Sequence, residues 1–336
     1  MMIRKQITIL IPTHNRPAYL KRSLAWFLAG GFPVIVADSS RSLNDDVSRS
    51  QSSELTYLHR PGGYEAYTAK IYEALRLVDT PYVALCADDD FILYKGLEQG
   101  VHFLDSNPDY AFYQGMAYFF QVIGKRLALW PFLYSADLAS DAWVTRVIEP
   151  KNTVFYGVNR SGIALKAFEA LQNQALVQHE NAAGLVDATF TAIVARTGKL
   201  MFEQTPFALR EYSPTVMSVG SRYQLLFDHK LPTFLAALFS SLVGNDTLDD
   251  ATSVLLKKWL AQDVASQIVY DGQASRGVRR LANRFSLRTR ETIEYIYRTW
   301  QLLKLTRSVK GLKATSIFFN VEYHSIKKQL LPKSAR

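Results

Sequence analysis

Three consecutive carboxylates, Asp88, Asp89 and Asp90, stand inside the stretch "PYVALCADDDFILY" at residues 81–94. The run Val83, Ala84, Leu85, Cys86 precedes them and Phe91, Ile92, Leu93 follow, so the neighbours threaten to desolvate three adjacent negative charges. A strand end that releases Asp88 and Asp90 as an Asp-x-Asp pair can aim both side chains to one side. A hard divalent cation, Mg²⁺ or Mn²⁺, would relieve such a pair, because both prefer oxygen ligands. Mg²⁺ is commonly held by one or two carboxylates together with substrate phosphates, so the pattern points to a phosphorylated substrate. A solvated acidic turn is the plainer reading of the same residues.

Such a triplet needs a rigid support, and the surrounding sequence supplies one. "ITILIP" (7–12), "PVIVAD" (33–38), "LTYLH" (55–59), "YVALCA" (82–87) and "YAFYQGMAYFFQ" (110–121) read as strands. Between them, 17–31, 64–78 and 95–108 carry helical apolar spacing, the first closing on Gly30 and Gly31. Unalternating strands separated by helices predict an α/β fold with a mostly parallel sheet covered on both faces. Ligands on such sheets bind at the carboxyl ends of the strands, where the triplet falls. Further on, 152–165 reads as a strand and turn, 186–198 as a helix and 199–212 as paired strands. From 221 the pattern turns helical, with candidates at 221–243, 249–270, 288–305 and 315–330. We therefore expect a catalytic domain over 1–220 and a basic helical domain over 221–336.

The 336 residues are 48% hydrophobic and 21% charged, which suits a folded core. One cysteine, Cys86, excludes an intrachain disulfide and a multi-cysteine zinc site. Pro12 and polar residues interrupt the opening segment, so no secretory signal is expected. The longest apolar helical stretch, near 234–244, is shorter than the roughly 20 residues that span a bilayer. A cytoplasmic protein, soluble or peripheral on the inner face of the membrane, follows as the expectation. The charge of +9 is uneven: 251–336 holds 17 Lys/Arg against 5 Asp/Glu, and 1–250 holds 22 against 25. A basic tail on a near-neutral body suggests an acidic partner for the tail.

Taken in order and spacing, "ILIPTHNRPAYLKRSL" (9–24), "VIVADSS" (34–40) and "ADDDF" (87–91) resemble the nucleotide-binding half of the family-2 glycosyltransferases. The resemblance spans roughly residues 5–215. It implies a GT-A fold, a nucleotide-sugar donor, UDP-linked in the usual case, and inverting transfer. It matches Pro12, Thr13, Asn15 and Arg16 to the family's motif after the first strand. Asp38 would then accept a hydrogen bond from the base, Lys70 would contact the nucleotide, and Asp88 and Asp90 would bind Mn²⁺ or Mg²⁺. Asp89 would face the sugar or the ribose. Thr13 and Asn15 would equally serve as caps of the helix that begins at Arg16 or Pro17.

The family also places a proton acceptor at a helix start, matched here by Asp187 in "LVDATFTAIVARTGKL" (185–200). Val186 stands where the family has Glu, and Ile193 where it has Arg. His179 and Glu180 form a second acid–base possibility. Arg210 in "ALREYSPTVMS" (208–218) would stabilise the leaving diphosphate. No histidine occurs between 180 and 228 to act as a further metal ligand.

The basic stretch 274–313 mixes Arg and Lys with aromatic residues. It fits an interfacial helix on anionic lipid, where lipid-linked acceptors reside, or a helical bundle that mediates homo-oligomerisation. No nucleic-acid motif is present. Two rival functions share the α/β frame: a nucleotidyltransferase, and a non-catalytic binding module. The loop "IPTHNRPAY" lacks the glycines a nucleotidyltransferase would show, and the intact carboxylates speak against the module.

Overall fold

Strand β1 (Ile7–Thr13) is buried at every position, as its unalternating sequence predicts. Strand β2 (Val34–Asp38) pairs parallel to it on one side, and β3 (Leu55–His59) pairs parallel to β2. On the other side β1 pairs parallel with β4 (Tyr82–Leu85). The computed structural model describes residues 3–62, 66–123, 126–132, 139–148, 155–172, 183–212, 239–240, 242–243, 248–258 and 321–331.

Beyond β4 antiparallel pairs enter. The remaining strands are β5 (Phe91–Ile92), β6 (Tyr110–Ile123), β7 (Arg126–Phe132), β8 (Val158–Arg160) and β9 (Lys199–Glu211). Among the described residues one sheet forms in the order β3-β2-β1-β4-β8-β6-β9-β5, with β7 paired to β6. The parallel arrangement read from the sequence holds from β3 to β4 and returns in β6–β9. The pair β5–β9 matters most for chemistry, because Phe91 lies opposite Leu209 and brings the end of β9 to the acidic triplet.

Helices cover both faces. On one, α1 (Pro17–Ala29) and α4 (Tyr94–Ser106) bury Leu20, Phe27, Leu97 and Val101 against Ile7, Ile9 and Ile11. On the other, α3 (Ala66–Leu75), α6 (Ser161–Gln172) and α7 (Ala183–Thr197) bury Ile71, Phe168 and Phe190 with Leu10. That split of odd and even positions in β1 is the two-residue period of a strand. Short helices α2 (Asp45–Arg49) and α5 (Trp143–Ile148) complete this part. A Cβ at Gly100 would lie 2.6 Å from Val158 Cγ2, so glycine there lets α4 approach β8.

Helix α8 (Val321–Leu330) packs Tyr323 and Ile326 into the core shared with α1 and α4. The N-cap of α4, Leu93, offers no side-chain cap. Glu322 supplies it, accepting the Tyr94 and Lys95 backbone N–H groups. A residue from the far end of the chain thus satisfies the helix that follows the triplet.

Several elements differ from expectation. The segment 199–212 is one strand, not a pair, and register shifts at Gln114/Met116 and Met116/Ala117 absorb Pro206. Strands β5 and β7 and helix α6 were not anticipated. Two residues are too few for β5 to show a period, Pro131 disguises β7, and Ser161-Gly162 mimics a turn where α6 begins. The expected boundary at 220/221 and the basic stretch 274–313 lie outside the described residues. Among the described residues no helix is long and apolar enough to cross a membrane.

Candidate active site

The carboxyl ends of β1, β2 and β4 meet, because Thr13 is the register partner of Asp38 and β4 pairs β1 on the other side. Thr13 is 4% exposed, and its hydroxyl donates to Asp88 Oδ2 at 2.6 Å. Lys70 rises from α3, buried to 3% exposure, and its ammonium donates to the Thr13 carbonyl at 2.6 Å and Ser39 Oγ at 2.9 Å. It therefore joins the ends of β1 and β2. Burial pulls the Lys70 pKa down to about 8, while the charges of Asp38 and Asp88 oppose the fall.

Asp38 is equally buried, with one donor on each carboxylate oxygen. Its Oδ1 accepts the Ser40 backbone N–H at 2.7 Å, and its Oδ2 accepts the Tyr57 hydroxyl at 2.7 Å. Pro12 is buried within β1. Asn15 adopts a left-handed backbone, with φ of 54°. Its backbone N–H donates to Ser40 Oγ and its side-chain oxygen accepts the Arg41 N–H, which clasps the β2 loop. Neither Thr13 nor Asn15 caps α1: the N-cap is Arg16, without a side-chain cap, and Pro17 takes the first turn.

The acidic triplet does not converge on one point. Arg16 reaches Asp88 at 2.8 Å and Asp89 at 2.6 Å. Asp90, 4% exposed, turns toward β9, where its Oδ1 accepts the Glu211 backbone N–H at 2.7 Å. Its Oδ2 meets Arg210 Nε at 3.4 Å, a long contact. Arg210 also lies over the Tyr156 ring, 4.0 Å from its centroid. Burial pushes the Asp88 carboxyl up to about 6 against the Thr13 hydrogen bond and the Arg16 charge. Burial, then the Asp89 charge, pushes Asp90 up as well, with Arg210 opposing.

These carboxylates fit a hard divalent cation in kind. Asp88 and Asp90 are buried acids whose charged forms are disfavoured by their surroundings, and Asp90 Oδ2 meets Arg210 only at long range. No group of three or more His, Cys, Asp or Glu side chains converges as a cation cage among the described residues. A cation at this place would need oxygen ligands from the substrate, as phosphates provide.

A cleft of about 510 Å³ opens at these strand ends. Thr13, Asn15, Arg16 and Asp38 line it, together with Leu43 and Asn44. Asp88 adjoins this wall through its bonds to Thr13 and Arg16. Asp187 falls in the first turns of α7, and its side chain is outside the described set, as are His179 and Glu180.

Sequence reasoning passed over four residues that build the site: Arg22, Ser39, Tyr57 and Glu211. Arg22 donates to the Asp89 carbonyl at 2.7 Å and to Glu211 at 2.6 Å, linking α1, the triplet and β9. The spacing of Arg16, Tyr19 and Arg22 puts all three on one helix face, a signal that was legible. Glu211 and Tyr57 depend on long-range register and carry no local mark.

Residues 8–157 match the family model described as glycosyl transferase family 2. No curated protein matches the sequence. The fold is similar to that of S. aureus TarS 1–349: TM-score 0.53 at 13% identity, covering 96% of this chain and 90% of that one. The crystal structure of the same protein with UDP gives 0.51 at 13% identity, over 96% of this chain and 90% of that one. The complex with UDP-GlcNAc gives 0.51 at 11% identity, over 96% and 91%. Against a longer S. aureus TarS chain, this chain spans 43% of the length.

Proposed function

We propose, from the match of residues 8–157 to the glycosyl transferase family 2 model, that the protein moves a single sugar from a nucleotide sugar, UDP-linked, to a hydroxyl of a glycan, lipid-linked or protein-linked acceptor. One observation carries this reading. Asp88 accepts the Thr13 hydroxyl, Lys70 joins the Thr13 carbonyl to Ser39, and Asp38, the register partner of Thr13, lines the cleft beside them at the end of β2. The similarity of fold to TarS, whose crystal structures hold UDP and UDP-GlcNAc, supports a nucleotide-sugar donor.

In this reading the nucleotide lies along the β1–β2 wall, with its base at Asp38 and its diphosphate toward the triplet. Arg210 and Arg16 donate to phosphate oxygens and hold charge as the nucleoside diphosphate departs. Asp88 and Asp90 would be the residues to hold a divalent cation, Mn²⁺ or Mg²⁺, which would supply neutralising charge to the leaving group. Asp187 takes the acceptor proton from the face opposite the nucleotide, and a single displacement inverts the anomeric carbon. The charge of 251–336 suits a peripheral position on an anionic membrane at the cytoplasmic side, with homo-oligomerisation as another use of the same segment.

Thermal stabilisation by a panel of nucleotide sugars, with and without Mn²⁺, tests the proposal. Stabilisation by one nucleotide series, increased by Mn²⁺, is the expected result. No stabilisation by any member of the panel would refute it.

A further inference from the structure

The Tyr57 hydroxyl connects two parts of the cleft wall. It donates to Asp38 Oδ2 at 2.7 Å and accepts the Asn44 backbone N–H at 3.1 Å. Asp38 and Asn44 both line the cleft, whereas Tyr57 itself is buried, 8% exposed. A phenol has one proton to give. Because Asn44 delivers an N–H to the oxygen, the proton of Tyr57 must point to Asp38. Burial, reinforced by the hydrogen bond to Asp38, pushes the Tyr57 pKa upward, so the phenol keeps that proton throughout the neutral range.

The other Asp38 oxygen receives the Ser40 N–H. Each oxygen thus holds one donor in a fixed direction, and the lone pairs left over can only accept. An acceptor-only carboxylate suits a base whose ring nitrogen carries hydrogen, as in uracil or guanine. It repels the bare ring nitrogens of cytosine and adenine, which could meet it only through their exocyclic amino groups.

We infer that Tyr57 is a specificity-determining positioning residue that holds Asp38 as an acceptor and so selects a nucleobase bearing a ring N–H. This rests on the cleft being the nucleotide site. Without the hydroxyl, Asp38 Oδ2 loses its donor. The carboxyl then becomes free to turn, and the fixed direction of its accepting lone pairs is lost. Tyr57→Phe keeps the ring and its packing, so the change is confined to one hydrogen bond.

Dissociation constants for UDP, GDP, CDP and ADP, measured by calorimetry with Mn²⁺ present, test it on the full chain. The wild type is expected to prefer UDP or GDP over CDP and ADP, and Tyr57→Phe to lower that preference about tenfold. Tyr57→Leu, which also removes packing, serves as the comparison for a merely structural role. An unchanged preference in Tyr57→Phe overturns the inference while leaving the nucleotide site intact. Equal weakening of all four nucleotides in both variants overturns it too. Binding of none of the four by the wild type would overturn the nucleotide site itself and the inference with it.

Discussion

Arg16 meets Asp88 at 2.8 Å through one arm of its guanidinium. The other arm holds Asp89 at 2.6 Å, so the residue that opens α1 fixes the loop after β4. Two carboxylates on one planar fork is an arrangement that a lysine cannot copy. Arg16→Lys should therefore raise the donor KM about tenfold with a smaller change in kcat. Steady-state kinetics at varied donor measures this. An unchanged KM would show that the fork does not position the triplet for substrate.

Asp88 carries a pH signature. Its pKa is raised to about 6 from an ordinary carboxylate value, mainly by burial. Between those values the native protein binds more protons than the unfolded chain, so this group's contribution to stability falls as pH rises. Asp88→Asn abolishes that term. The melting temperature of wild type minus that of Asp88→Asn should decrease from pH 5 to pH 7 in chelator-treated protein. A difference independent of pH would contradict the raised pKa. Lys70 acts in the opposite sense: with its pKa lowered to about 8, its share of stability rises with pH from there to the free-lysine value.

Glu322 joins the end of the chain to the start of α4 by accepting the Tyr94 and Lys95 N–H groups. Removing such a cap costs on the order of 1 kcal/mol. Glu322→Ala should lower the melting temperature by a few degrees, and Glu322→Gln by less. Thermal unfolding decides it, and identical melting in all three proteins would mean that α8 does not support α4.

Asp187 is the proposed proton acceptor. Asp187→Asn should bind donor with unchanged affinity yet lose transfer by about a hundredfold or more. Calorimetry for binding and product formation for transfer separate the two. Unimpaired turnover in this variant would remove Asp187 from the mechanism.

The legible part of this site is the part written locally. Thr13, Asp38 and Asp88 each follow an apolar run, and a polar residue that ends a buried strand announces the ligand edge of a parallel sheet. What stayed hidden depends on which strand ends become neighbours. Glu211 reaches Asp90 only because β9 pairs with β5, a two-residue strand without any periodic signal. In the sequence Asp88 and Asp90 read as a pair aimed to one side at a cation, with Asp89 apart. In the fold the members of the triplet diverge, Asp88 and Asp89 to Arg16 and Asp90 to the end of β9. The resemblance alone offers Lys70 as a nucleotide contact; in the fold its ammonium is buried on the Thr13 carbonyl, where it joins β1 to β2.

Nucleotide-sugar chemistry at the acidic triplet is tested most directly by the identity of the nucleotide released. Wild type and Asp90→Asn are incubated with the stabilising nucleotide sugar and Mn²⁺, and the released nucleotide is identified by chromatography. Wild type should release a nucleoside diphosphate, and Asp90→Asn should do so about a hundredfold more slowly. Release of pyrophosphate, or equal rates in the two proteins, would contradict it.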